Sequence, residues 1–305
     1  MSATFMRAVG IDMHGGTDVL RVRRVPEPVV GAGEVLVRTV ASSLNPVDAK
    51  TREWEIGTLP ANLGWDLSGV VLDSEDERFR PGDRVIAMSA QIATGRGTWA
   101  DVVSLPGDLL AAAPGRVGPE EAATLPLAGL TALQALESAD VGAGDRVLVV
   151  GAVGGVGGLA VQLARHLGAR VDGLVSRTSH VDAARELGAE LVVDDPAELA
   201  DGVYQVVLHT AGPHVTHALA EGGRYVSIAD APLPDVPGAS KSYVEQSGKQ
   251  LGELARLVDD GVLRLRVAAD LPVERVGEAH ELFEAGGLTG KVVLTFSPPT
   301  TGRGE

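Results

Sequence analysis

The sequence predicts an α/β protein in two parts, a barrel-like β-rich region and a doubly wound parallel sheet. Three observations lead there. Up to about residue 125, short apolar strands follow one another at close spacing. From Pro119 on, continuous apolar strands alternate with helical segments, the pattern of a buried parallel sheet. At residues 146–169 (RVLVVGAVGGVGGLAVQLARHLGA) an apolar strand runs straight into a glycine-rich turn and then an amphipathic helix.

Taken in order, Glu34–Ala41 (EVLVRTVA) alternates as strands do, and Gly69–Leu72 continues as a short apolar run. Pro81-Gly82-Asp83 is a turn feeding a strand at Arg84–Ala87, and Gly95–Gly97 precedes another at Trp99–Ser104. Pro119-Glu120-Glu121 starts a helix, with proline and acids in the first turn. Leu130–Ser138 reads as helical. Strands follow at Arg146–Val150, Arg170–Val175, Leu191–Val193, Gln205–Leu208 and Arg224–Ile228, with helices at Val156–Leu167 and His180–Leu187. Pro232–Ser242, with three prolines and no clear period, reads as a loop. Lys291–Phe296 returns to strand character, and the chain is expected to fray from Ser297.

Composition narrows the function classes. The 305 residues suffice for one large domain or two modest ones, and 45% apolar with 22% charged residues excludes wholesale disorder. A net charge of −15, from 26 basic and 41 acidic residues, argues against a nucleic-acid partner. Aromatics at 3% also leave few platforms for stacking bases. The absence of cysteine removes disulfides, iron–sulfur clusters, thiolate zinc and a cysteine nucleophile, but leaves the compartment open. The start MSATFMRAVGIDMHGG lacks a basic segment followed by an apolar one, so no signal peptide is expected. Val147–Ala164 is uncharged, yet it carries five glycines between Arg146 and Arg165, which suits a strand–turn–helix better than a bilayer span. No membrane partner and a cytoplasmic location are expected.

The glycine turn, Gly151-Ala152-Val153-Gly154-Gly155-Val156-Gly157-Gly158, points to dinucleotide binding. Glycine allows a sharp turn and close approach to a pyrophosphate, and the helix N-terminus presents free amides with a partial positive charge. A purely structural glycine turn is the alternative. The second strand ends Leu174-Val175-Ser176-Arg177, without the acid that would hold a ribose 2′-hydroxyl; Asp172 lies too early. A hydroxyl and a guanidinium at that end suit a 2′-phosphate, which favours NADPH, unless Arg177 is only a solvated loop cation.

At this point the chain resembles the medium-chain dehydrogenase/reductase superfamily, and within it the zinc-independent quinone oxidoreductases. The resemblance runs from about Arg7 to Phe296. It is carried by SLNPVDAK (43–50), GWDLSGVV (64–71), GDRVIAM (82–88), TLPLAGLTALQAL (124–136), the glycine turn and GKVVL (290–294). The helix wording AVQLARHLGA is also similar to enoyl reductase domains of polyketide synthases. The resemblance implies a GroES-like β-barrel domain at 1–125, joined by 268–305, and a Rossmann domain at 126–267. It implies a substrate cleft between them and a homodimer paired through the cofactor domain.

It also implies roles. Asn45 would sit beside nicotinamide and substrate, its amide suited to hold a carbonyl oxygen or a water, with Pro46 shaping the turn. Asp48 is a second family-like position, a helix-cap carboxylate being the other reading. Trp65 and Asp66 would line the cleft, unless Trp65 is core. Thr131 matches a position whose hydroxyl contacts the nicotinamide region, with helix packing as the alternative. Gly151, Ala152, Gly154, Gly155 and Val156 would hold the cofactor's phosphates, and Ser176 and Arg177 its 2′-phosphate. Thr210, Ala211 and Gly212, after the strand QVVLH, would approach the cofactor, and Ser227 would lie near the ring.

Asn45 stands where the alcohol dehydrogenase branch has its first zinc-ligating cysteine, and the cysteine-rich zinc lobe is missing, so no metal is expected. Three departures from relatives matter. His209 replaces a usual aspartate. Asp195 replaces a tyrosine beside the 2′-phosphate. The segment around 229–250 is short, which reshapes the pocket; Lys241, Tyr243 or Lys249 would reach the site from there. The implied chemistry is hydride transfer from NADPH to a small-molecule quinone or the β-carbon of an enone. No tyrosine lies in the 48–58 region, where Trp54 stands, so no general acid is assigned. A dedicated biosynthetic enoyl reductase and a non-catalytic NADPH-binding protein are the alternatives.

Overall fold

A computed structural model describes residues 4–54 and 56–297. The N-terminal region contains β1 (Phe5–Ile11), β2 (Arg21–Pro26), β3 (Glu34–Ser43), α1 (Pro46–Glu53), β4 (Ala61–Asn62) and β5 (Asp66–Ser74). It continues with β6 (Arg84–Met88), α2 (Gln91–Thr94), β7 (Val102–Pro106), β8 (Leu110–Ala112) and α3 (Pro119–Ala122). The middle of the chain holds α4 (Pro126–Ser138), β9 (Arg146–Val150), α5 (Gly155–His166), β10 (Arg170–Leu174) and α6 (Val181–Glu186). Then come β11 (Val192–Val193), β12 (Tyr204–His209), β13 (Leu219–Ser227), β14 (Ala239–Lys241) and α7 (Gly248–Asp259). β15 (Val267–Pro272), α8 (Val276–Ala285) and β16 (Lys291–Thr295) complete it.

Two large sheets organise these elements. A seven-stranded sheet runs β15-β16-β3-β5-β6-β8, with β7 also paired to β3. A small sheet, β2-β1-β4, lies beside it. The chain's late strand β16 pairs antiparallel with β3, so the first and last parts share one sheet. β3 buries alternate side chains, as its sequence alternation requires. The second large sheet, β11-β10-β9-β12-β13-β14, is parallel throughout. Its central strand β9 (RVLVV) is buried except at its first residue, as expected where helices cover both faces. The strand order reverses between β9 and β12. That reversal opens a crevice at the strands' C-terminal ends, where such sheets bind ligands.

Several elements differ from the sequence expectation. The proposed strand Trp99–Ser104 is shifted: Ala100 makes only an isolated bridge to Ala8, and the ladder with β3 occupies Val102–Pro106. The Pro232–Ser242 loop contains β14, which pairs with β13 from Tyr225↔Ala239 to Ser227↔Lys241. The helix expected at His180–Leu187 is a 3₁₀ turn, Thr178–His180, followed by α6. Helix α7 was not anticipated, although Leu251, Leu254, Ala255 and Val258 bury one face at i, i+3, i+4 and i+7. Its N-terminus is capped by the Ser247 hydroxyl, which accepts the Gln250 amide at 3.2 Å. Of the expected frayed end, residues 298–305 lie outside the described residues. Among the described residues, no helix is long and apolar enough to cross a membrane.

Candidate active site

A cleft of about 550 Å³ opens at the crevice between β9 and β12. One wall comes from the parallel sheet: Gly151, Val153 to Gly157, Ser176, His180, Thr210 to Pro213 and Ile228. The opposite wall comes from the other sheet and its helices: Leu44, Asn45, Pro46, Lys50, Phe283, Gly286 to Leu288, Gly290 and Lys291.

The glycine turn shapes the first wall. Gly151 has φ +86°, and a Cβ there would meet the Thr210 hydroxyl at 2.5 Å. At Gly157 a Cβ would lie 2.1 Å from the Gly151 carbonyl oxygen, so the helix start and the strand end pack backbone to backbone. The Thr210 hydroxyl donates to Val150 O at 2.7 Å, which ties the ends of the neighbouring strands β9 and β12 together. The first-turn amides of an α-helix have no acceptors within the helix. Those of Gly155, Val156 and Gly157 therefore face a cleft they line. This bare turn and its donors fit the phosphates of a dinucleotide. Ala152 is buried beneath the turn and does not line the cleft.

The opposite wall carries a buried polar network. The Asp66 Oδ2 atom accepts from the Asn45 side-chain amide at 2.8 Å, from the Lys291 ammonium at 2.7 Å and from the Ser43 hydroxyl. Its Oδ1 accepts the Leu127 backbone amide at 2.7 Å, which joins β5 to the start of α4. Lys291 also donates to Asn45 Oδ1 at 2.5 Å. Asp66 is wholly buried and Lys291 nearly so. Asn45 also donates weakly to Ser43 O at 3.4 Å. Its side-chain N–H groups are thus committed within the protein, so it is not the free carbonyl donor that the sequence suggested. Lys291 has three donors and uses two on these partners, leaving one at the cleft.

Asp48 closes the helix start. Its carboxylate accepts the Asn45 backbone N–H at 2.9 Å, and its own N–H donates to Asn45 O at 3.0 Å. Burial, reinforced by the nearby Asp66 charge and opposed by these bonds, pushes its pKa up to about 7. Asp48 does not line the cleft, and Trp65 packs against the apolar core instead. Thr131 donates to Leu127 O at 2.6 Å within its own helix and is also absent from the cleft wall.

Behind the turn at Thr210–Gly212, His209 is fully buried. One ring nitrogen lies 3.1 Å from the Ser227 hydroxyl and the other 3.0 Å from Gly212 O. Burial, partly offset by the Gly212 bond, lowers its pKa. A neutral ring donating to Gly212 O and accepting from Ser227 braces this turn, and Ser227 itself stands behind the wall. Arg177 is exposed and also stands off the wall. Its guanidinium lies against Gly287, where an added Cβ would come within 2.5 Å of it. The Asp195 carboxylate accepts the Ala197 N–H at 2.9 Å and so caps its own turn.

Of the expected residues, the cleft brings together Asn45, Pro46, Gly151, Gly154, Gly155, Val156, Ser176, Thr210, Ala211 and Gly212. The sequence reading missed Lys50, His180, Asp230, Phe283 and Lys291. Lys291 stood in the quoted GKVVL, but its partners are 246 and 225 residues away.

A parallel sheet with a bare glycine turn at its switch point, facing a second sheet across a cleft, defines a dinucleotide-binding protein of two-sheet architecture. The comparisons agree. Residues 31–115 match the alcohol dehydrogenase GroES-like domain family, and residues 187–294 match the zinc-binding dehydrogenase family. The NADPH-dependent alkenal/one oxidoreductase of Arabidopsis thaliana chloroplasts is 32% identical, over 95% of this chain and 79% of that protein. A chloroplastic quinone-oxidoreductase homolog of Spinacia oleracea is 31% identical, over 96% of this chain and 99% of its own. The structure of the quinone oxidoreductase from Coxiella burnetii superposes with a TM-score of 0.86 at 28% identity, covering 96% of this chain and 100% of that one. The chain belongs to the medium-chain dehydrogenase/reductase superfamily, among its quinone oxidoreductase-like members.

The second family description implies zinc, and the donors present do not fit it. The chain has no cysteine. Asn45 and Asp66 are already bonded to the Lys291 ammonium. Among the described residues, no three of histidine, aspartate or glutamate converge as a metal site.

Proposed function

We propose that this chain is a zinc-independent, NADPH-dependent oxidoreductase that transfers hydride to a quinone or to an α,β-unsaturated carbonyl. The observation that carries the reading is a single cleft with free helix amides on one wall and the Lys291 ammonium on the other. The Arabidopsis alkenal/one oxidoreductase and the spinach quinone-oxidoreductase homolog support these two acceptor classes. In this reading residues 1–125 and 268–305 form the substrate domain, and 126–267 the dinucleotide domain.

When bound, NADPH supplies the hydride. The residues of the chain do the rest by placement. Gly151 and Gly154 to Gly157 hold the phosphates, and Ser176 and Arg177, at the end of β10, take the 2′-phosphate. That assignment is supported by Asp195 being engaged at its own turn rather than free beside it. Thr210 to Gly212, braced by His209, approach the nicotinamide end. Leu44, Leu127 and Ile228 keep that end apolar and dry. The remaining Lys291 N–H polarises the acceptor oxygen, a role the sequence reading gave to Asn45. Asp48 and Trp65, expected near the chemistry, act here as helix cap and core. A reduced quinone, or the enolate left when hydride adds to an enone, takes its protons from solvent, so no side-chain acid is assigned.

A homodimer and a cytoplasmic location belong to the same proposal. The edge strand Ala239–Lys241 offers a second copy an unpaired ladder. Sedimentation and cell fractionation test these two points.

The functional test follows NADPH absorbance with a panel of quinones and enones. Turnover of either class is expected. Tight NADPH binding without turnover of any acceptor would favour a binding protein. Preference for NADH would remove the argument from Ser176 and Arg177, and activity lost to a chelator would refute the zinc-free reading.

A further inference from the structure

The cleft mouth carries an unusual arrangement of charge. Lys50, on α1, and Asp230, in the loop after β13, line the cleft from opposite walls and form an ion pair across it. Among the described residues lining the cleft, Asp230 is the one carboxylate. A second ammonium stands close by. Lys241 donates to Ala231 O at 2.6 Å and to Ala229 O, which pins the backbone on both sides of Asp230. Burial and the neighbouring Lys241 charge draw the Lys50 pKa down, so the two ammonium groups feel each other. The Lys50 ammonium also lies 5.8 Å from the centre of the Trp54 ring. Ile228 and Ala229, just before Asp230 in the chain, add apolar lining.

Without Asp230 this mouth would present the Lys50 ammonium, with the Lys241 charge behind it, to an entering molecule. With it, the Lys50 charge is neutralised. Charges within a few ångströms in a partly enclosed site are weakly screened, so this difference reaches the substrate. We propose that Asp230 is a specificity-determining residue that, by pairing with Lys50, makes the cleft select uncharged acceptors over acidic ones. The inference rests on the reading of this cleft as the acceptor site. It adds the substrate class: neutral quinones and enones rather than their carboxylated or sulfonated forms.

The test compares kcat/KM for naphthoquinone with its sulfonate, and for a pentenone with the oxopentenoate of the same skeleton. Wild type is expected to favour the neutral member of each pair. In Asp230→Asn the anionic-to-neutral ratio is expected to rise at least about tenfold, an effect that salt reduces. Adding Lys50→Met should remove that gain. A ratio unchanged in Asp230→Asn overturns the proposal. Binding of naphthalene sulfonate, which needs no turnover, is measured alongside by calorimetry. It should tighten at least about fivefold in Asp230→Asn. Should wild type bind NADPH yet reduce no acceptor, the functional reading falls, and this binding ratio alone decides the role of Asp230: tightening upholds it and no change overturns it.

Discussion

Asp66 gathers four donors, and one of them is a buried ammonium. Asp66→Asn removes the charge and leaves Lys291 without its counter-ion. The expected loss is about 3–5 kcal/mol, because breaking a buried pair costs far more than the pair contributes. Urea unfolding of variant and wild type measures it, and a loss near zero would count against the pairing. Two other buried groups shape the pH dependence. Asp48 is raised from 3.8 to about 7 by burial. The folded state therefore holds that proton more tightly, and the stability this gives is full below pH 3.8 and is lost as pH rises towards 7. His280, beside Trp99, is lowered from 6.5 to about 3 by burial and then by Arg52. Its contribution is full above pH 6.5 and is lost as pH falls towards 3. Between 3.8 and 6.5 the two slopes oppose each other. Asp48→Asn leaves the histidine slope alone, so stability should climb with pH across that window by up to about 1.4 kcal/mol per unit. Urea midpoints at several pH values check this, and profiles parallel to wild type would refute it.

At the scale of elements, the strand–turn–helix of β9 and α5 was legible because every contact that defines it is local. Apolar strand, glycines and helix are consecutive, and their spacing states the geometry. Gly157→Ala tests it, since the new Cβ would sit 2.1 Å from a backbone oxygen that cannot swing away. NADPH affinity by fluorescence titration should fall at least about tenfold, or 1.4 kcal/mol, while far-UV circular dichroism is retained. The other wall was only half legible. Asn45 lines the cleft with its side chain already engaged, and nothing near it in sequence reveals its partner Lys291. Asp48 was divided between two readings, and reciprocal bonds with Asn45 make it a cap. The edge strand β14 stayed hidden because three residues among prolines carry no period of their own. Helix α7, by contrast, does carry a helical period, with Leu251, Leu254, Ala255 and Val258 on its buried face.

Across the whole molecule, the cleft is built from both large sheets, so a ligand that fills it holds them together. Anything that binds only the folded state stabilises it by mass action. NADPH at a hundred times its Kd should add about 2.7 kcal/mol. Thermal melts with NADPH and NADH at equal concentration read this out, with the larger rise in Tm expected for NADPH. Equal shifts would contradict the proposed roles of Ser176 and Arg177. The net charge of −15 makes local placement of cations necessary for any anionic cofactor. In the proposed reading the first turn of α5 and Arg177 supply it.

The pairing of β16 with β3 has a consequence for how the chain is made. A strand ending at Ser43 waits for one beginning at Lys291 before this part of its ladder can close. At ribosomal rates of roughly 5–20 residues per second, that wait lasts on the order of ten to fifty seconds. The parallel sheet, by contrast, is encoded without interruption between Arg146 and Lys241 and is complete well before then. The nascent protein therefore completes its parallel sheet first and spends the interval with this edge of β3 unzipped, until the stretch from Lys291 arrives to seal the site.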